Sequence, residues 1–275
     1  MTLYPALEIR DADPDLALAA VIDASPLAAE AVGDAIVIYF STPQLRDEAD
    51  AAVQLTLPGA CTRRREIDDG DWARRSQEHL GPIVVGRITI KPVASSAPPE
   101  LAMLEIVIQP SMGFGTGHHA STRLCLAALQ TIPLTGCDVL DVGTGSGILA
   151  LAARALGARR ALGVDYDLDA IQSARENLPL NPAVDGVTFE LRDLSRDPLP
   201  AAAVVTANLT GALLCRAAGT LMANLADPGH LIVSGILTSE RDEVRAAFGA
   251  LDLAWEAREE EWVGMCFRRP TRATV

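Results

Sequence analysis

From about residue 119 onward, apolar and polar positions alternate between two periods. ASTRLCLAALQTI carries its apolar residues at helical spacing, and CDVLDVG (137–143) is a short apolar run of the kind that becomes a buried strand. SGILALAARALGA then reads as a helix, RALGVD (160–165) as a strand, and DLDAIQSARENL as a helix opening on Asp167, whose carboxylate can cap it. VTFELRDL (187–194) and AAVVTANL (202–209) read as strands. ALLCRAAGTLMANL (a helix), GHLIVSGI (a strand) and SERDEVRAAFGAL (a helix) follow. This alternation predicts an α/β fold with a mostly parallel sheet covered on both faces. LAWEARE and EWVGMCFRR close the chain with no helix between them. They predict a hairpin, and hence an antiparallel last strand.

The first part of the chain reads differently. DPDLALAAVIDAS and PQLRDEADAAVQLTL have helical spacing, with the strand AIVIYF (35–40) between them. TRRREIDDGDW, after Cys61, is charged and turn-rich. VVGRITIKP (84–92) and LAMLEIVIQP (101–110) read as strands, separated by the Pro- and Ser-rich residues 93–100. The expected organisation is a small α/β domain over 1–60, a connector over 61–98 and a larger domain over 99–275.

Composition narrows the class. Hydrophobic residues are 49% and aromatics 4%, so the core is built from Ala, Leu, Val and Ile. No apolar run approaches the ~20 residues of a membrane span, and the first residues lack a signal-peptide pattern. The five cysteines show no CxxC spacing. Free thiols, a cytoplasmic location and no metal are expected. The net charge is -13, and residues 1–60 hold ten acids against two arginines. Direct nucleic-acid binding is disfavoured, because neutralising phosphates needs a basic surface. A basic protein partner is permitted; so is the reading that the acids only keep the domain soluble.

The strongest chemical signal is Asp141-Val142-Gly143-Thr144-Gly145-Ser146-Gly147, at a strand-to-helix turn. Glycines there let the backbone approach a ligand closely. The dinucleotide fingerprint GxGxxG would place its third glycine where Ile148 stands; here it falls one residue earlier, at Gly147. Asp141 would repel a pyrophosphate and favour an ammonium or a sulfonium. Asp165 ends the next strand, where a carboxylate can accept both ribose hydroxyls. Asp193 follows the third strand, within reach of an adenine amine. The pattern points to S-adenosylmethionine bound by Asp141, Gly143, Gly145, Gly147, Asp165 and Asp193, and so to a methyltransferase.

A more specific likeness lies upstream. Gly113-Phe114-Gly115-Thr116-Gly117-His118-His119, followed by Ser121-Thr122-Arg123, resembles a segment of the ribosomal protein L-eleven methyltransferases (the PrmA type). VLDVGTGSGILALAA (139–153), Ala207-Asn208-Leu209, Gly235-Ile236-Leu237, Asp71-Trp72 and Gly86-Arg87 are also similar to that family, and the likeness spans roughly 66–268. It implies a Rossmann-like class I methyltransferase domain behind a small amino-terminal substrate-recognition domain. The implied activity is methylation of lysine and α-amino groups on the large-subunit stalk-base ribosomal protein, by a cytoplasmic monomer. It adds Thr122 and Asn208 to the cofactor contacts. After Leu209 the chain has Thr210-Gly211, where many members have Leu-Ala-Gly. A different protein lysine or a small-molecule acceptor is the alternative.

Asn208 is the first catalytic candidate, since its carbonyl oxygens can orient an amine; a turn-forming asparagine is the plainer reading. Phe114 can wall the transfer site or pack in the core. His118 and His119 are adjacent and so point apart, which argues against a shared metal. One of them can bond the glycine loop or the cofactor carboxylate, or serve structure alone.

Overall fold

The computed structural model describes residues 3–21, 24, 26, 28–33, 35–68, 81–93, 104–109 and 119–269. Two compact units divide the chain, Met1–Ser76 and Gln77–Val275.

The first unit holds β1 (Leu3–Arg10), α1 (Pro14–Val21), β2 (Ala28–Val32), β3 (Ala35–Tyr39), α2 (Pro43–Thr56) and β4 (Cys61–Asp68). Its sheet has the order β2-β3-β1-β4, and every pairing is antiparallel. Both helices contribute to one core, where Ala17, Val21, Ala49 and Val53 meet Leu7, Ile9, Ile36 and Ile38. Pro43 and the Thr42 side chain, which accepts from Leu45 N at 3.3 Å, start α2.

The stretch from Cys61, read as connector, is instead the fourth strand and pairs with β1 from Leu3↔Asp68 to Arg10↔Cys61. Its charges are matched across the unit rather than left to water. Arg65 Nη1 meets Glu8 Oε2 at 2.9 Å, and Arg64 Nε meets Asp50 Oδ2 at 2.7 Å. Burial pushes the Asp50 carboxyl up, but hydrogen bonds from Thr62 and Arg64 outweigh this and hold it below the usual range. Such pairing is long-range, so local periodicity does not reveal it. The strands expected at 84–92, in the connector, and at 101–110, in the larger domain, lie in the second unit as a small sheet. Residues 84–92 form a hairpin rather than one strand: β5 (Ile83–Val85) and β6 (Ile88–Pro92) turn at Gly86-Arg87, and β6 pairs in parallel with β7 (Leu104–Ile108). Lys91 is buried there, with Nζ 2.6 Å from Glu105 Oε2.

The large sheet follows the predicted alternation. It contains β8 (Asp138–Val142), β9 (Arg160–Asp165), β10 (Val187–Leu191), β11 (Ala202–Asn208), β12 (Leu225–Leu237), β13 (Asp252–Glu259) and β14 (Trp262–Arg268), in the order β10-β9-β8-β11-β12-β14-β13. β14 is antiparallel to both neighbours, as the final pair required. The helices are α3 (Ala120–Leu129), α4 (Ile148–Ala155), α5 (Leu168–Asn177), α6 (Gly211–Ala223) and α7 (Arg241–Ala247). Two separate apolar layers form. Leu126, Leu149, Leu151 and Ile171 belong to one, and Leu214, Leu221, Val244 and Phe248 to the other. Asp167 caps α5 as expected, accepting from Asp169 N at 3.0 Å. Among the described residues no helix is long and apolar enough to cross a membrane. The five cysteines are free thiols.

Candidate functional site

β8, β9, β10 and β11 are parallel, so their carboxyl ends share one edge of the sheet. The strand order reverses between β8 and β11, and α/β sheets bind ligands in the crevice at such a point. Val142 pairs with Val164 on one side and Ala207 on the other. Gly143 and Asn208 therefore leave the sheet as neighbours.

The glycine loop is folded tightly onto β9. The N–H groups of Gly143 and Thr144 both donate to Val164 O, at 2.9 and 3.0 Å. Gly143 has φ +71°, and a Cβ there would stand 2.4 Å from Leu209 Cδ2. Gly147 has φ +83°, and a Cβ there would stand 2.6 Å from the Phe189 ring. Both positions need a left-handed backbone, and at Gly147 the Phe189 ring and Ala174 Cβ also leave no room for a side chain.

Asp165 turns toward this loop. Its Oδ2 accepts from Gly145 N at 3.0 Å and its Oδ1 from Asp167 N at 3.1 Å. An ionised carboxylate has about four acceptor sites, so each oxygen keeps capacity for a ribose hydroxyl. Tyr166 and Leu191, 77% and 51% exposed, leave apolar surface beside it, since Leu191 pairs with Asp165. These residues fit an adenosine.

Asp141 lies beneath the glycine loop. It is 0% exposed, and each oxygen accepts from a threonine hydroxyl: Thr144 Oγ1 donates to Oδ2 at 2.6 Å and Thr206 Oγ1 to Oδ1 at 2.6 Å. Burial is the main cause that pushes its carboxyl up to about 6. It acts behind the loop. Thr122 is also buried, and its Oγ1 accepts from Asn208 Nδ2 at 3.4 Å. That bond orients the amide and leaves Asn208 Oδ1 to accept from another group. Asp193 spends Oδ1 on its own turn, accepting from Ser195 N at 2.8 Å and Ser195 Oγ at 2.6 Å. The Ser195 hydroxyl is the main cause holding this carboxyl below its usual range.

His119 is the N-cap of α3: its Nδ1 accepts from Ser121 N at 3.3 Å, and its ring meets the Trp262 ring edge-on at 4.4 Å. These contacts fix the start of α3. Phe114, His118, Asp71 and Trp72 lie outside the described residues.

Two buried asparagines escaped the sequence reading. Asn177 Nδ2 donates to Ser146 O of the glycine loop at 2.9 Å, while its Oδ1 accepts from Gln109 N at 2.8 Å. Asn181 bonds both Val107 N and Val107 O at 2.8 Å. Together they tie β7 and the residue after it to the end of α5. The available signal was a polar residue on the apolar face of α5, three positions after buried Ala174.

Comparison with known proteins agrees with this geometry. A family model described as ribosomal protein L11 methyltransferase (PrmA) matches residues 26–270. A ribosomal protein L11 methyltransferase from Geobacter metallireducens is 45% identical over 209 residues, covering 74% of this chain and 67% of that protein. One from Deinococcus radiodurans is 39% identical over 213 residues, covering 74% and 77%. The crystal structure of ribosomal protein L11 methylase from Lactobacillus delbrueckii subsp. bulgaricus superposes with a TM-score of 0.63 at 26% identity, covering 70% of this chain and 100% of that one.

Proposed function

Because the chain belongs to the ribosomal protein L11 methyltransferase family, we propose that it methylates lysine and α-amino groups of ribosomal protein L11. The observation that carries the reading is the meeting of the Gly145 amide, Asp165 and Asn208 at one edge of the sheet. S-adenosylmethionine, the methyl donor of this family, supplies a methyl group already activated on a positive sulfur.

The chain's own residues do the rest. Gly143, Gly145 and Gly147 bring backbone close to the donor, and Asp165 accepts from its ribose. Asp193 takes the adenine side through whatever capacity its turn leaves. Thr122 and Asp141 hold Asn208 and the loop in place. Asn208 Oδ1 accepts a hydrogen from the acceptor nitrogen and so points its lone pair at the methyl group. The acceptor must be neutral to attack. Lysine titrates near 10.4, so neutrality near pH 7.5 costs about 4 kcal/mol. A desolvated approach beside a cationic sulfur lowers that cost, because both disfavour the ammonium. Positioning then supplies much of the rate, without a strong general base.

The unit Met1–Ser76 is assigned to acceptor recruitment. Residues 1–76 hold fourteen acidic side chains against seven arginines, a balance suited to a basic protein. The reading places the protein in the cytoplasm as a monomer, with neither nucleic acid nor membrane as a direct partner. The test is incubation with labelled S-adenosylmethionine and purified ribosomal protein L11, followed by mass spectrometry. The expected result is L11 heavier by whole methyl groups with wild type, and less modified with Asp165→Ala at the same limiting donor concentration and time. Label that enters other lysate proteins or small molecules but not L11 overturns the reading.

A further inference from the structure

We propose that Thr206 is a positioning residue for methyl transfer, its hydroxyl locking the strand that bears Asn208 to the glycine loop through the buried carboxylate of Asp141. This rests on the function proposed above.

The geometry is a row across three strands. Asp141 of β8 pairs with Gly163 of β9 on one side and with Thr206 of β11 on the other. Asp141 and Thr206 are 0% exposed and Thr144 is 4% exposed. The carboxylate takes one hydroxyl per oxygen, Thr144 on Oδ2 and Thr206 on Oδ1, each at 2.6 Å. Hydroxyl-to-carboxylate bonds of this length belong to the stronger class. Gly163 leaves the space this needs, since a Cβ there would stand 2.5 Å from Thr144 Oγ1.

A buried carboxylate is a costly way to fill a sheet. Apolar side chains of similar volume often serve stability as well or better. What the trio adds is a fixed relation between two parts that must cooperate. Thr144 belongs to the loop that approaches the methyl donor. Thr206 lies two residues before Asn208, on the same face of its strand. Through Asp141, the loop and the acceptor-orienting amide are held in one register. Transfer rates are sensitive to displacements of this kind.

The titratable groups facing Asp141 are Asp165, from the end of β9, and the Cys125 thiol, from α3; α4 contributes only the backbone of Ala150. Burial and the Asp165 charge push the Asp141 carboxyl up, while the Thr144 and Thr206 hydroxyls pull it down. Removing the Thr206 hydroxyl therefore moves it further up.

The test compares wild type, Thr206→Val and Thr206→Ser. Single-turnover methylation of L11 at saturating S-adenosylmethionine is followed between about pH 5 and 8, with cofactor affinity measured by calorimetry. Thr206→Val should slow the single turnover by about tenfold, with affinity changed by less than about threefold. Its acid limb should move to higher pH. Thr206→Ser, which keeps the hydroxyl, should restore both rate and profile. A Val variant with the wild-type rate and an unmoved limb overturns the proposal. So does a Ser variant as slow as Val, which would assign the effect to packing. If Thr206→Val does not fold, Thr206→Cys, of similar volume and a weak donor, takes its place. A wild type that leaves L11 unmodified overturns the function reading instead. The lock is then judged on cofactor affinity, whose pH dependence must differ between the Val and Ser variants; identical profiles overturn it.

Discussion

The N–H of Gly145 donates to Asp165 Oδ2 at 3.0 Å, so the glycine loop and the acid twenty residues later form one bonded unit. Asp165 thus has two tasks, shaping the loop and accepting ribose hydroxyls. Asp165→Ala should weaken S-adenosylmethionine binding by one to a few kcal/mol, about fivefold or more, since donors lose their acceptor. Calorimetry reads this directly, and unchanged affinity removes Asp165 from the site.

Asn208 should separate binding from transfer. Its Nδ2 is spent on Thr122 and its Oδ1 is left for the acceptor. Asn208→Ala should lower the single-turnover rate by ~10-fold or more in a protein that still folds. A wild-type rate would return Asn208 to a turn-forming role.

Gly147→Ala tests the loop's shape. The substitution meets both φ +83° and a ring 2.6 Å away. Left-handed backbone costs an L-residue roughly 1–2 kcal/mol, and the clash adds to it. Chemical denaturation should show a loss of at least about 2 kcal/mol, and cofactor affinity should fall with it. A variant as stable as wild type would mean that the loop tolerates another path.

Much of this was legible beforehand. Strands 137–143 and 160–165 and the cap Asp167 follow from apolar period and turn chemistry, which are local. β4 was not legible, because Arg63, Arg64 and Arg65 look like a solvated run until Glu8 and Asp50 are set beside them. The spacing of Asp141 marks the loop, but its bond from Thr206, 65 residues away, is visible only in the fold. Asn177 and Asn181 carry no motif, and their partners lie 68 and 74 residues away.

Acid should favour the folded form through Asp141. Its carboxyl sits at about 6 when folded against the ordinary 3.8, so the folded state binds more protons between those values. Stability from this group therefore rises as pH falls through about 6 toward 4. The unfolding free energy of wild type, taken relative to Asp141→Asn, should rise over that window. A constant difference would place the titration elsewhere.

Charge in the first unit should act on encounter. Asp11 and Glu48 are exposed, whereas Glu8 and Asp50 are held by arginines. The Asp11→Asn/Glu48→Gln variant should methylate L11 with a kcat/KM lower by about two- to fivefold at low salt. The difference should vanish at high salt, and methylation of a short lysine peptide should not change. A salt-independent defect, or none, would leave these acids as solubility features.

The chain contains a single lysine, Lys91, whose side chain is 9% exposed and whose ammonium is held by Glu105. Every other basic side chain apart from histidine is arginine, which cannot be deprotonated to a nucleophile. A lysine methyltransferase meets its own surface at far higher effective concentration than any substrate. This one offers that encounter no accessible lysine amine. The enzyme is thus its own clean background: incubated alone with methyl donor, it should gain no methyl on any lysine.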